Sequence, residues 1–113
     1  MISDDCLFCR IARGDVPVPF VAENALAVAF RDIHPQAPVH VLVVPRTHVK
    51  SVLEADPAHL NAVMQLANEV ARAEGVAESG FRLVLNTGAD AGQSVLHLHA
   101  HVLGGRAMHW PPG

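Results

Sequence analysis

Positive charge is not in excess in this chain: eight Lys and Arg stand against eleven Asp and Glu, giving a formal net charge of −3. The basic footprint of a nucleic-acid-binding protein is therefore missing. No stretch approaches ~18 uninterrupted apolar residues, which excludes a membrane-spanning helix. The opening Met1-Ile2-Ser3-Asp4-Asp5 is acidic where a secretory leader is basic, so a cytoplasmic location is expected. Cysteine is scarce. Cys6 and Cys9 are the only two, and in a reducing compartment they are expected as thiols or metal ligands, not as a structural disulfide. Repeats, linkers and low-complexity segments are absent as well, so one domain spanning residues 1–113 is expected. What is present is half hydrophobic and 17% charged, the composition of a packed globule.

Local patterns divide the chain into short strands and one long helix. A helical turn is expected from Cys6 to Ala12, ended by Gly14-Asp15 and the prolines at 17 and 19. Phe20–Glu23 and Leu26–Arg31 read as strands joined by a turn at Asn24. The segment from Asp32 to Pro38 is a loop, because its two prolines exclude regular pairing. His40–Val44 is an apolar, β-branched central strand that stops at Pro45. Asp56 before Pro57 marks a helix start, a capping carboxylate followed by proline at the first helical position. Leu60, Val63, Met64, Ala67, Val70 and Ala71 then recur at helical spacing, and Gly75 can close the helix. Phe81–Asn86 and Val95–Leu103 are the last two strands. Strands grouped around one long helix predict an α+β domain with a mostly antiparallel sheet and a short N-terminal helix.

The final strand carries the strongest signal. His97, His99 and His101 alternate with Leu96, Leu98, Ala100 and Val102, so strand geometry puts three imidazoles on one face and the aliphatic residues on the other. Titratable rings are costly to bury without partners, and two uses repay that cost: metal binding, or nucleophilic and acid–base chemistry on a bound substrate. Immediately upstream lies Asn86-Thr87-Gly88-Ala89-Asp90-Ala91-Gly92-Gln93-Ser94. Its glycines can let backbone N–H groups converge on an anion, with Asn86, Gln93 and Ser94 adding neutral donors. Cys6-x-x-Cys9 supplies half of a tetrahedral zinc site and also has the spacing of a redox pair.

Gly92-Gln93-Ser94-Val95 followed by His97-Leu98-His99-Ala100-His101-Val102-Leu103 resembles the signature of the histidine triad (HIT) superfamily of nucleotide hydrolases and transferases. Asp32 through His40, and Val43-Val44-Pro45-Arg46-Thr47-His48, match as well. The tail from Leu103 to Gly113 is similar to that of the Hint branch, the purine nucleoside phosphoramidases. His101 stands where the galactose-1-phosphate uridylyltransferase branch has Gln, which disfavours that branch.

The resemblance implies a HIT-like fold and a defined set of roles. His99 is the implied nucleophile toward a purine nucleoside 5′-phosphoramidate, forming a nucleotidyl-histidine that water hydrolyses. His101 is implied at the phosphate and the scissile bridge, with His97 and His40 in the hydrogen-bond network that sets the tautomer of His99. Asn86, Gln93, Ser94 and the backbone from Gly92 to Val95 would hold phosphate oxygens. Asp32 would accept from the ribose hydroxyls, and Leu7, Phe8, Ile11, Phe30 and Ile33 would wall the base. No cofactor is required by this chemistry. A structural zinc is implied on Cys6, Cys9, His48 and His97. Trp110 in the Pro-rich tail is implied at a partner subunit's active site, in a two-fold homodimer. His34, His59 and His109 carry no assigned role, and His34 and His59 are expected at the surface. Two other functions stay open: a nucleotide-sensing protein with incidental turnover, and a zinc-dependent hydrolase.

Overall fold

The computed structural model describes residues 5–113; the expectation drawn from the acidic opening rests on Met1 to Asp5, of which residues 1–4 lie outside them. The element order is α1 (Leu7–Ala12), β1 (Ala22–Glu23), β2 (Ala27–Arg31), β3 (Val39–Pro45), α2 (Pro57–Ala73), β4 (Phe81–Val84) and β5 (Ala100–Gly104). The strands form one five-stranded sheet in the order β1-β2-β3-β5-β4, and every neighbouring pair is antiparallel. The α+β expectation holds, with the long helix leading from the centre of the sheet to its edge. No helix among the described residues is long and apolar enough to cross a membrane.

Each face of the sheet has its own cover. Ala27, Ala29, Val41, Val43, Ala100 and Val102 pack against Val63, Leu66, Ala67, Val70 and Ala71 of α2. Val28, Phe30, Leu42 and Val44 face the other way, onto Phe8, Ile11 and Ala12 of α1. Burial on both sides explains why β3 reads as a continuous apolar run instead of an alternating one. The start of α2 is as the sequence predicts, since the Asp56 carboxylate accepts from the amide of His59 ahead of a first-turn proline. Asn24 makes the β1–β2 turn by accepting from the amides of Leu26 and Ala27.

Three expectations need correction. The buried stripe of α2 includes Leu66, whereas Met64 is 36% exposed, because the inward face centres on Val63, Leu66, Ala67 and Val70. β1 and β4 are shorter than their apolar runs. The histidine strand begins only at Ala100, and Leu96, expected among the packed aliphatics, is exposed. The antiparallel register pairs Val43 with Ala100, so the ladder next reaches Pro45, which has no N–H to give. Residues 95–99 find other partners: the Leu98 amide donates to Val49 O at 2.7 Å, and Val95 O accepts from the Gln93 side chain at 3.1 Å.

Candidate active site

On the α1 side of the sheet a cleft of about 440 Å³ opens between α1, β2, the 32–38 loop and the segment entering β5. Leu7, Phe8 and Ile11 reach it from α1, and Phe30, Asp32 and Ile33 from β2 and the loop after it. His40 comes from β3, and Ser94, Val95, His99 and His101 complete the lining. The lining thus joins apolar side chains to four imidazoles, of His34, His40, His99 and His101, and the Ser94 hydroxyl.

Hydrogen bonds fix the tautomer of each ring. His99 Nδ1 lies 2.7 Å from the carbonyl oxygen of His97, which can only accept, so Nδ1 carries a proton and Nε2 is the lone-pair nitrogen of the neutral ring. His40 Nδ1 accepts from the backbone amide of Gln36 at 3.0 Å, so His40 Nε2 carries the proton. That proton points at His101 Nδ1, 2.9 Å away, which leaves the N–H of neutral His101 on Nε2. Asp32 lies 3.4 Å from His40 Nε2 through one carboxylate oxygen, and its other oxygen accepts from the amide of His34 at 2.8 Å. Burial pushes the pKa of His101 down to about 4, helped by His99 and His40 and opposed by Asp32. His40 is lowered for the same main reason, with Asp32 again opposing. Both rings thus favour the neutral state while a carboxylate stands ready to balance an added proton.

His97 turns away from the cleft. Its Nε2 donates to Pro45 O at 2.8 Å, so the Nδ1 lone pair faces Cys6 Sγ at 3.2 Å and Cys9 Sγ at 3.4 Å. His48 Nδ1 stands 3.3 Å from Cys9 Sγ, and the four donor atoms all lie within 4.8 Å of one another. A tetrahedral zinc with ordinary Zn–S and Zn–N bonds separates sulfur from nitrogen by about 3.5 Å. The cluster therefore fits zinc in donor type, number and spacing. Phe8 packs edge-on against both His97 and His99, at 5.9 and 5.1 Å between ring centres, and so stands between cluster and cleft.

A comparison with protein families matches the HIT domain over residues 13–108. The chain belongs to the HIT domain family. An uncharacterised HIT-like protein of Synechococcus elongatus is 45% identical, with 99% of this chain and all of that protein covered. The purine nucleoside phosphoramidase of Escherichia coli K12 is 38% identical over 95% of this chain and 92% of its own length. Among solved structures, a HIT family hydrolase from Legionella pneumophila superposes with a TM-score of 0.89 at 45% identity, covering 96% of this chain and 99% of that one. A histidine triad protein from Clostridium difficile gives 0.90 at 38% identity, with 96% and 97% covered.

Within this HIT domain, several residues singled out from the sequence stand outside the cleft wall. Asn86, Gly92 and Gln93 do not line it. The Gln93 side chain is a staple, donating to Lys50 O at 2.6 Å and accepting from the Gly88 amide at 2.9 Å. The amides of Gly92 and Gln93 are also taken up inside the loop, by Ala89 O and Gly88 O. Ser94 and Val95 are what the loop presents to the cleft. Trp110 is 82% exposed in a tail without helix or strand. His34 is exposed yet lines the cleft rim, and His59 is half-buried with its Nδ1 2.8 Å from Asp56, contrary to its expected surface position. Gln36, Val18 and Leu42 line the cleft without having been singled out. Leu42 was legible from its two-residue offset from His40, but the part Gln36 plays is a main-chain amide in a loop, which leaves no residue-type signal.

Proposed function

We propose that this HIT protein is a nucleotide-binding hydrolase that cleaves the P–N bond of purine nucleoside 5′-phosphoramidates through a nucleotidyl-His99 intermediate. The observation that carries the reading is the 2.7 Å bond from His99 Nδ1–H to the His97 carbonyl, which makes Nε2 the lone-pair nitrogen of the neutral ring, in the cleft beside His101. A base between Leu7, Phe8, Ile11, Phe30 and Ile33 and a ribose against Asp32 put the 5′-phosphorus at the histidine end, near Ser94. His99 Nε2 then forms a bond to phosphorus as the P–N bond breaks. The nitrogen leaves with the electron pair and must take a proton. His101 Nε2–H faces it, and the reactive state carries one proton shared between the leaving nitrogen and the His101–His40 pair, with Asp32 balancing its charge. Water entering from the same side displaces His99 from phosphorus and releases the nucleotide and a proton.

Zinc on Cys6, Cys9, His48 and His97 belongs to this reading as a crosslink that ties α1 to the segments after β3 and before β5. None of its ligand atoms is needed by His99 or His101, so the chemistry is assigned to the protein's own imidazoles. A homodimer, with Trp110 docking on the partner, is part of the same reading, supported by an indole left 82% exposed. Incubation with adenosine 5′-phosphoramidates bearing an alkyl or indole amine tests the activity, with AMP release as the readout. Tight AMP binding without release of AMP from these substrates would instead establish a nucleotide sensor.

A further inference from the structure

α1 is six residues long, too short to be stable without its surroundings, and it belongs to two sites at once. Cys6 is its N-cap, accepting from the Cys9 amide at 3.4 Å, and both sulfurs face the imidazoles of the cluster. The intervening residues Leu7 and Phe8, with Ile11 one turn on, line the cleft. Its other attachment is apolar packing on Val28, Phe30, Leu42 and Val44. Across the cluster, His97 is held by Pro45 O and His48 follows β3, so those two ligands sit on the sheet side while the two sulfurs sit on the helix. The Phe8 ring meets Phe30 at 5.6 Å and His99 at 5.1 Å, between cluster and cleft.

From this arrangement we infer that metal binding and nucleotide binding are cooperative through α1, with Cys6, Cys9 and His48 acting as positioning residues for the base slot. Gathering the two sulfurs onto the two imidazoles fixes the helix that forms one wall of the slot. A base filling the slot fixes the same helix from its other side and so gathers the sulfurs. Because the coupling is a free energy, it is the same in both directions. The inference rests on the reading of the cleft as a nucleotide site and of the cluster as a zinc site.

Two titrations of the whole protein test it. In calorimetry, chelator-stripped protein should bind AMP about tenfold or more weakly than zinc-loaded protein. In a competition with a chromophoric chelator, saturating AMP should raise zinc affinity by the same factor, with circular dichroism checking that the stripped form stays folded. Ribose 5-phosphate, which has no base to press on α1, should give a smaller coupling than AMP. His48→Ala removes a ligand that lies neither on α1 nor in the cleft. That variant should raise KM for an AMP-amine with kcat within about twofold of the parent, and added zinc should restore the stripped parent but not the variant. Equal AMP affinity with and without zinc defeats the coupling alone, and a fall in kcat at unchanged KM assigns the metal to chemistry instead. Failure of the chain to bind zinc removes the cluster and the inference together. If zinc-loaded protein does not bind AMP, the nucleotide reading of the cleft fails first.

Discussion

His99→Gly separates the covalent route from everything else the cleft does. The ring it removes is 6% exposed and lies between Phe8 and His101, at 5.1 and 4.9 Å between ring centres. The change therefore deletes the proposed nucleophile and leaves a ring-sized recess with its walls in place. A fixed nucleophile with an effective concentration of ~10⁵ M supplies about 7 kcal/mol over the same group free in solution. Direct attack by water, helped by the remaining contacts to phosphate and leaving group, can recover part of that. A loss of at least about a thousandfold in kcat, or about 4 kcal/mol, is the expected floor. AMP affinity should stay within several-fold of the parent, since the base and ribose walls are untouched. Free imidazole should enter the recess and restore turnover saturably. Rapid alkaline quenching of the parent under single-turnover conditions, which preserves an acid-labile P–N bond to imidazole, should trap up to one nucleotide per chain, on His99. Appreciable turnover by the variant without imidazole, or a parent that never carries covalent nucleotide, would refute the assignment.

Ser94→Ala should lower kcat by an amount equivalent to about 1–3 kcal/mol, because the hydroxyl stands where the loop presents its donor to the phosphate end; identical rates for AMP-amine and GMP-amine substrates in parent and variant would remove it from the site. Gly104→Ala should destabilise by about 1–3 kcal/mol, since a Cβ there would lie 2.8 Å from Cβ and Cγ1 of buried Val76. Val76→Gly, which removes the crowding Cβ as well as both Cγ atoms, should cost less in the Gly104→Ala background than in the parent, whereas additive losses would contradict the steric account. With its pKa at about 4 in the folded protein against 6.5 as the reference value, His101 favours the unfolded state once protons bind. Its contribution is unchanged above pH 6.5 and erodes as the pH falls from 6.5 toward 4, by at most about 1.4 kcal/mol per unit. His101→Gln should flatten that part of the stability curve in urea titrations, and parallel curves for parent and variant would show that the ring is solvated.

Patterns of residue type carried much of the fold into the sequence. The Asp56-Pro57 start, the turn at Asn24 and the run from His40 to Val44 follow local rules, and the structure obeys them. The alternation from His97 to Val102 also led to the cleft, through His99 and His101. Where the reading overreached, the cause is a partner elsewhere in the chain. Residues 95–99 have strand periodicity, but Pro45 of the neighbouring strand ends the ladder, a fact that becomes visible only with the register. Gln93 has the amide of a phosphate ligand, yet its hydrogen-bonding groups are engaged by Lys50, Val95 and Gly88. Gln36 acts through its amide N–H, so its side-chain identity gives no warning.

His97 meets His99 through its carbonyl oxygen, while its ring is directed to the cysteines. Any residue at this position offers that oxygen, provided the backbone keeps its path. The orientation of His99 and the composition of the sulfur–nitrogen cluster are thus encoded in different atoms of one residue and can drift apart under substitution. A chain could exchange the cluster for an apolar plug by changing side chains at 6, 9, 48 and 97, and still hand the same oxygen to the same imidazole. The histidine that the sequence presents as the first of three equals is, for the second, an interchangeable length of main chain.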